Sequence, residues 1–167
     1  MPVKKKVSVI KNANKSTSKV IKKNEAVTKQ KRIVPVDSPL FIENNKLIEC
    51  RSKTIRKVII PSGVTEIGGY AFFGCNDLTS IEIPDSVTVI GENAFEQCER
   101  LKEINIPASV TKIGASAFVD CINLTSIVIP KGVKEIEFAT FQNCVRLTKI
   151  KIPDSVIPVL TPAPSAS

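Results

Sequence analysis

Four cysteines recur at one fixed spacing and are the most obvious candidates for chemistry in this sequence. Cys75, Cys98, Cys121 and Cys144 lie 23 residues apart, whereas Cys50 falls outside that spacing. If the four stack, their Cα atoms come within disulfide range, but their Cβ bonds point in parallel, which disfavours a disulfide. The sequence has no C-x-x-C pair and no histidine that would complete a zinc site. We therefore expect these cysteines to be small apolar core residues, as buried free cysteines usually are.

Catalytic chemistry has few candidate residues. The sequence contains no histidine, so it has no Ser-His pair, no Cys-His pair and no His-metal site. The acid pair Glu96 and Glu99 is better explained as two exposed turn residues. The sequence thus predicts a protein that is not an enzyme, that needs no cofactor or metal and that has no small-molecule substrate.

The cysteines belong to a strict 23-residue period. The same period contains Phe72, Phe95, Phe118 and Phe141, the leucines Leu78, Leu101, Leu124 and Leu147, the isoleucines Ile81, Ile104, Ile127 and Ile150, and the prolines Pro61, Pro84, Pro107, Pro130 and Pro153. A unit of this length makes one coil that cannot bury its own apolar side, so successive coils stack and share one core. With 167 residues and only 5% aromatics, the chain should form a single solenoid with an aliphatic core.

Each unit contains two segments with strand character. The segment L-x-x-I-x-I-P places Ile81 and Ile83 two residues apart, which is strand periodicity. Pro84 should end this strand because proline has no N–H for the ladder. The following V-x-x-I-G segment predicts a second extended stretch across the coil.

The rest of the unit predicts two turns. The glycines that come after the second extended stretch are Gly68, Gly91 and Gly114. We expect them in a turn that requires a positive φ. In A-F-x-x-C, the residues Ala94, Phe95 and Cys98 fit one short helical turn that packs inward.

The order I-P-x-S-V-x-x-I-G-x-x-A-F-x-x-C-x-x-L resembles the leucine-rich repeat of the BspA type, found in bacterial and protist proteins. The resemblance covers residues 55–156 in four nearly full copies. It implies a leucine-rich-repeat solenoid that is right-handed, with a parallel β-sheet on its concave side and little regular helix. It also implies a binding or scaffolding role, because family members often act as adhesive or surface proteins and the repeat is not catalytic.

Altered units at both ends of the repeat predict caps and domain boundaries. Residues 41–58 are predicted to form an N-terminal cap, in which Ser52 stands where a cysteine is expected. The solenoid then takes residues 59–156, and in its last unit Glu137 replaces the glycine and Thr140 the alanine. Residues 157–167 are predicted to be a Pro/Ala/Ser-rich C-terminal tail.

The first 40 residues carry the whole charge imbalance. They hold 11 of the 24 lysines and arginines and 2 of the 16 acids, which is +9, so residues 41–167 carry −1. With no aromatic and no periodic apolar face, residues 1–40 are predicted to be a disordered basic N-terminal arm. The basic residues of the arm are Lys4, Lys5, Lys6, Lys11, Lys15, Lys19, Lys22, Lys23, Lys29, Lys31 and Arg32. They suit the neutralisation of a polyanion, and without aromatics any binding of nucleic acid would not be sequence-specific; a solubilising tail is the alternative.

The side chains that flank the central isoleucine of each strand should point away from the core and form the concave face. They are Lys57, Ile59, Ser80, Glu82, Glu103, Asn105, Ser126, Val128, Lys149 and Lys151. A polar protein-binding strip and a solvated face without a partner fit this pattern equally well. No large aromatic side chain lies on the face, so we expect modest affinity through it alone.

These observations favour a non-enzymatic protein-interaction or structural module, anchored to an acidic partner or a large assembly by its basic arm. One alternative is a surface adhesin that binds protein through the concave face, and another is a ribosome- or virion-associated nucleoprotein component whose arm binds nucleic acid. The apolar run after Lys6, VSVI, is too short for a signal peptide, and no 18-residue apolar run predicts a transmembrane segment. We therefore expect an intracellular location, cytoplasmic or within a large assembly, with the cell surface as the alternative.

Overall fold

The structure, a computed structural model, describes residues 38–157, and this part of the chain contains ten short strands and no helix. The strands are β1 (Leu40–Glu43), β2 (Lys46–Cys50), β3 (Lys57–Ile59), β4 (Glu66–Ile67), β5 (Ser80–Glu82), β6 (Val89–Ile90), β7 (Glu103–Ile104), β8 (Lys112–Ile113), β9 (Ser126–Val128) and β10 (Lys149–Lys151). Residues 1–37 of the predicted arm and residues 158–167 of the predicted tail lie outside the described residues.

The first two strands form a hairpin within the segment predicted to be the N-terminal cap. β1 pairs antiparallel with β2, and the two-residue loop between them consists of Asn44 and Asn45, with φ of 48° and 63°. Two consecutive left-handed residues suit a tight hairpin whose twist matches its strands, and asparagine adopts that conformation more readily than most residues. Leu47 of β2 is fully buried and thus begins the core. The antiparallel start of the solenoid was not expected from the repeat.

All other strand pairs are parallel and join residues one repeat apart, so the coils stack as the period predicts. One sheet has the order β1-β2-β4-β6-β8, with Ile67 beside Ile90 and Ile90 beside Ile113. On the other side, β3 pairs with β5, and β7, β9 and β10 form a three-stranded sheet. β5 ends at Glu82, two residues before Pro84, as expected from the missing N–H of proline. The fold is a leucine-rich-repeat solenoid.

Ladders of identical side chains form the core between the two sides of the solenoid. The rings of Phe72, Phe95, Phe118 and Phe141 stack nearly parallel, with centroids 5.2, 5.4 and 5.6 Å apart. Beside them lie the fully buried leucines of the period, Leu78, Leu101 and Leu124. Because each rung packs on the same residue of the next coil, one repeated side chain fixes the spacing of the whole stack.

The prediction of positive φ at the repeat glycines is wrong. Positive φ among the glycines is found at Gly63 and Gly74, and not at Gly68, Gly91 or Gly114. Space explains these three glycines instead. A Cβ atom on Gly91 would lie 2.6 Å from the backbone nitrogen of Gly69, and one on Gly114 would lie 2.6 Å from that of Glu92. The glycines are required because the backbones of neighbouring coils touch at this corner.

The exit coil lacks this glycine, and its strand is lost. Glu137 occupies the glycine position there, and its Cβ cannot fit against the preceding backbone as a glycine does. The larger sheet accordingly ends at β8, and the described residues after it contain no strand in the V-x-x-I segment of the exit coil. The carboxylate of Glu137 accepts a hydrogen bond from the backbone nitrogen of Ala115 at 3.1 Å, which satisfies a donor at the end of the sheet.

The A-F-x-x-C segments pack inward as predicted, but they are not helical turns. Ala94, Phe95 and Cys98 are fully buried, yet Asn93 and Gln97 beside them have φ of 54° and 61°. The segment is a chain of tight turns, such as the one closed by the bond from the Cys98 nitrogen to the Phe95 oxygen at 3.1 Å. Left-handed residues at the same two positions recur in each coil, so the backbone changes direction where a helix would continue.

Candidate functional site

The ten residues predicted to form the concave face lie on or beside the strands β3, β5, β7, β9 and β10. Each strand buries its central isoleucine or valine, except in the last coil, and directs the flanking side chains outward. Nine of the ten side chains are exposed and Ser126 is half-buried. The ten residues therefore share one accessible surface.

Strand register brings particular members of the concave face together. Lys57 lies beside Ser80, and Ile59 lies beside Glu82, across the β3–β5 pair. In the other sheet, Ser126 has Glu103 on one side and Lys149 on the other. Neighbouring strands are about 4.8 Å apart, so a partner side chain could contact two adjacent members at once.

The concave face is divided in the middle. Between β5 and β7 the structure has no strand pairing, so the face consists of a two-stranded and a three-stranded part. At the residue before β5 and β9, the hydroxyls of Thr79 and Thr125 donate to the carbonyls of Arg56 and Lys102 in the preceding coil, at 2.9 and 3.1 Å. Lys102 occupies the corresponding place before β7 and has no such hydroxyl. The interruption therefore coincides with the coil in which lysine replaces this threonine.

The charges of the concave face change sign along the solenoid. Glu82 and Glu103 give the middle of the face acidic character, while Lys149 and Lys151 make its exit end basic. The entry end combines Lys57 with the exposed apolar side chain of Ile59. A partner that covers several coils would therefore need a matching sequence of charges, which is a source of specificity more than of affinity. The basic arm residues Lys4 to Arg32 lie outside the described residues.

A second exposed feature was missed by the sequence interpretation. Tyr70 and Phe73 are exposed in the turn of the first coil, and their rings meet edge to face with centroids 5.9 Å apart. Tyr70 has a φ of 59°, a conformation that a bulky residue adopts rarely. The corresponding residues of the next coil are Asn93 and Glu96. A comparison of each unit with the consensus would have found this pair, because YAFF departs from it by two aromatic residues.

The cysteine ladder is chemically quiet. All five cysteines are free, and four of them are buried. The thiols of Cys98, Cys121 and Cys144 donate hydrogen bonds to the carbonyl oxygens of Phe72, Phe95 and Phe118, at 3.3, 3.2 and 3.1 Å. The cysteines are therefore more than apolar filler, because each thiol satisfies a carbonyl of the preceding coil.

Burial governs the ionisation of the ladder thiols. It raises the pKa of Cys98 to about 12 and that of Cys144 to about 11 from an ordinary 9.0, and it raises the pKa of Cys121 further. Such thiols stay protonated and unreactive near neutral pH.

Cys50 adjoins the ladder in space although it lies outside the period. The thiols of Cys50 and Cys75 both reach the carbonyl oxygen of Ser52, at 3.4 and 3.9 Å. The hydrogen bond between the two thiols lowers the pKa of Cys50 to about 7 and raises that of Cys75. The expectation that Cys50 is simply an apolar core residue is thus too narrow, since it takes the ladder place that the period assigns to Ser52.

No group of three or more metal-ligating side chains occurs among residues 38–157. Within the same range, no helix is long and apolar enough to cross a membrane.

Stacked 23-residue coils, parallel strands on both sides and internal phenylalanine, leucine and cysteine ladders define the class of leucine-rich-repeat solenoids. The chain belongs to the BspA-type leucine-rich repeat family, whose model matches residues 42–162 in six copies. This match begins earlier and ends later than the four copies recognised in the sequence, so it includes most of the predicted cap. Modules of this family are generally not enzymes.

Solved structures of bacterial leucine-rich repeat proteins resemble this chain. A leucine-rich cell surface protein from Faecalibacterium prausnitzii is 32% identical with a TM-score of 0.50, and the match covers 64% of this chain and 34% of that one. The leucine-rich repeat protein of Treponema pallidum is 23% identical with a TM-score of 0.48, covering 74% of this chain and 84% of that one. The pneumococcal vaccine antigen PcpA is 18% identical with a TM-score of 0.47, covering 76% and 38%. This chain thus corresponds to about a third of the F. prausnitzii protein. The search of curated proteins found no match.

Proposed function

We propose that the chain is a non-enzymatic protein-interaction module whose concave face contacts a protein partner, while the basic residues of 1–40 attract an acidic partner or a large assembly. The observation that supports the concave face is the contrast within each strand. The central residues Val58, Ile81, Ile104 and Ile127 are buried, whereas the flanking side chains differ from coil to coil and stay largely exposed. Solenoids commonly bind partners through such extended surfaces.

The two parts of the proposal supply different contributions. The concave face is a rigid surface without a large aromatic anchor, so it offers shape and charge order rather than high affinity. A segment with a charge of +9 raises the encounter rate with an acidic partner, and this effect weakens as salt increases. The module would therefore bind a partner tightly only when both parts engage it.

The contribution of the arm is tested by changing its charge while keeping its length. The ten arm lysines are replaced by glutamine in one full-length variant and by arginine in a second variant, which retains the charge. Binding to poly-glutamate and to a single-stranded oligonucleotide is measured from low to high salt. We expect the glutamine variant to lose most of the binding and most of its salt dependence, and the arginine variant to keep both. Equal binding by both variants would contradict the role of the arm, and a preference for the oligonucleotide would favour a nucleoprotein component.

The contribution of the concave face is tested by cross-linking. A photoreactive residue is placed at Ser80 on the face and, as a control, at the exposed Asp85 beyond the strand. In the native cell, we expect one partner protein to be recovered from position 80 and not from position 85. Glu82→Lys and Glu103→Lys should reduce that adduct several-fold, because they reverse the charge order of the face. Equal adducts from both positions would show that the concave face is not the binding surface.

A surface adhesin is the second candidate function. The observation that favours it is the 32% identity with a protein described as a leucine-rich cell surface protein. Brief protease treatment of intact cells tests it, because a surface pool is digested while a cytoplasmic marker survives. Survival of the whole pool of this protein would reject the adhesin and leave the intracellular module.

A further inference from the structure

The outer edge of β10 is an open sheet edge. β10 is the terminal strand of the sheet in the order β10-β9-β7, and no strand among residues 38–157 pairs with its other side. An open edge presents unpaired backbone donors and acceptors, which is the usual template for the addition of another strand.

The hydrogen bonds of β10 show which backbone groups point outward. The nitrogen of Lys149 donates to the oxygen of Thr125 at 3.1 Å, and the oxygen of Lys151 accepts from the nitrogen of Ile129 at 2.9 Å. Both lysine residues therefore direct their backbone groups toward β9. Backbone groups of successive residues in a strand point to opposite sides, so the N–H and C=O of Ile150 point to the open edge.

The same edge exposes apolar side chains that earlier coils bury. Ile150 is 42% exposed and Ile152 is 48% exposed, whereas their counterparts Ile127 and Ile129 are each 2% exposed. The difference arises because Ile127 and Ile129 are covered by the next coil. An added strand that placed apolar residues over Ile150 and Ile152 would remove this surface from water.

Charge limits which strand can be added. Lys149 and Lys151 flank Ile150 on the concave side and are exposed. A second copy of β10, paired antiparallel about Ile150, would set Lys149 directly opposite Lys151, and like charges opposite each other destabilise a strand pair. Lysines on an edge strand commonly prevent such self-pairing. Carboxylates at the corresponding positions of an incoming strand would instead form ion pairs.

We propose that the open edge of β10 binds an extended segment of a partner protein in which acidic and apolar residues alternate. The segment adds as the next strand, pairs its backbone with Ile150, covers Ile150 and Ile152 with its apolar residues, and directs its carboxylates to Lys149 and Lys151. This site goes beyond the concave face because it is specified by backbone groups and a sheet edge. It does not require the arm.

The test uses the full-length chain and a synthetic peptide that alternates glutamate with valine. Amide hydrogen exchange is measured by NMR at Ile150, because a peptide held by the basic arm would not protect that amide. We expect the Ile150 amide to exchange rapidly in the free chain and about tenfold more slowly with saturating peptide, since it gains a ladder hydrogen bond. A peptide with N-methylated backbone nitrogens should give no protection, because its strand edge cannot pair.

A charge exchange provides the matched control. The variant Lys149→Glu with Lys151→Glu should protect Ile150 only at about tenfold higher concentrations of the acidic peptide. It should regain protection with a peptide that carries lysine in place of glutamate.

Two other results would overturn the proposal. If the acidic peptide leaves exchange at Ile150 unchanged, the edge does not bind such a segment. If the amide is already protected in the free chain, the edge is occupied: by a second copy when protection and sedimentation depend on concentration, or by residues 158–167 when they do not.

Discussion

The two ends of the solenoid solve the same problem in different ways. At the entry end, β1 runs antiparallel to β2 and carries a β-bulge between Phe41 and Ile42, which blunts the sheet edge. The guanidinium of Arg51 lies 4.5 Å from the centre of the Phe41 ring and covers that strand further. At the exit end, β10 continues the parallel repeat without such a hairpin in the described residues.

Exposure of the last coil measures the difference between the ends. Phe138 is 81% exposed and Val145 is 77% exposed at the exit, whereas Leu40 and Leu47 of the entry hairpin are buried. The repeat motif itself does not bury its apolar residues, because burial depends on the neighbouring coil. One repeat therefore has a different stability and a different binding capacity at each position of the stack.

The largest effect is expected from the phenylalanine ladder. Phe95 lies between two stacked rings and is fully buried, whereas Phe141 at the exit has a ring on one side and is half-buried. Phe95→Ala should lower the free energy of unfolding by about 3 to 5 kcal/mol and Phe141→Ala by less than half of that, measured by urea denaturation. Equal losses would mean that the exit coil is covered as well as the middle.

The glycine corner should give the next largest effect. Gly91→Ala places a Cβ atom 2.6 Å from the backbone of the preceding coil, whereas Gly74→Ala meets nothing within 4 Å and has only a positive φ of 66° to accommodate. We expect a loss of about 3 kcal/mol for Gly91→Ala, as in overpacked cores, and of about 1 kcal/mol for Gly74→Ala. Thermal unfolding of both variants checks the order. A larger loss for Gly74→Ala would restore the backbone-conformation explanation that the structure contradicts.

The pH dependence of stability compares the middle and the exit through their thiols. Because burial raises the pKa of Cys98 to about 12, the unfolded chain loses this proton near pH 9 while the folded chain keeps it. Between pH 9 and 12 the unfolded state binds fewer protons, so stability falls as pH rises, by up to roughly 1.4 kcal/mol per pH unit. Cys98→Ala should reduce this decline.

Cys144 is the matched position at the exit. Burial raises its pKa to about 11, so its contribution should end at lower pH than that of Cys98. Urea denaturation of the two alanine variants across this range measures both windows. A decline that is unchanged in both variants would show that other groups cause it.

The sequence was sufficient for the stacking but not for the contacts between coils. The period predicted which residues share a ladder, because identical spacing brings Phe72 and Phe95 to the same place in successive coils. The glycines and the A-F-x-x-C turn were misinterpreted, because a single unit shows a local pattern and not the backbone of its neighbour. Gly91 is specified by the backbone of Gly69, which lies 22 residues earlier.

The ends and the candidate site were harder to predict for the same reason. The hairpin has a local signal in Asn44 and Asn45, but the repeat period gives no sign of it. Cys50 reaches the ladder although it lies two residues before the position that the period assigns to a cysteine. The concave residues could be assigned from strand alternation alone, whereas the interruption beside Lys102 depends on a hydrogen bond between coils.

The smallest expected effect concerns this interruption. In the larger sheet, the hydroxyls of Thr65, Thr88 and Thr111 each donate to the preceding coil, and the strands β2, β4, β6 and β8 are paired without a gap. The next residue of that series is Lys134, and there the sheet ends. Both sheets therefore lose pairing where lysine replaces threonine.

Lys102→Thr should restore the missing hydroxyl beside β7 and join the two parts of the concave face. The matched control is Lys102→Val, which has the same β-branched shape without the hydroxyl. We expect the threonine variant to be more stable than the valine variant by about 0.5 kcal/mol, the lower range for a hydrogen bond near the surface. Slower amide exchange in β7 of the threonine variant alone would show that the hydroxyl closes the gap. Equal exchange in both variants would mean that the threonines accompany strand pairing without causing it.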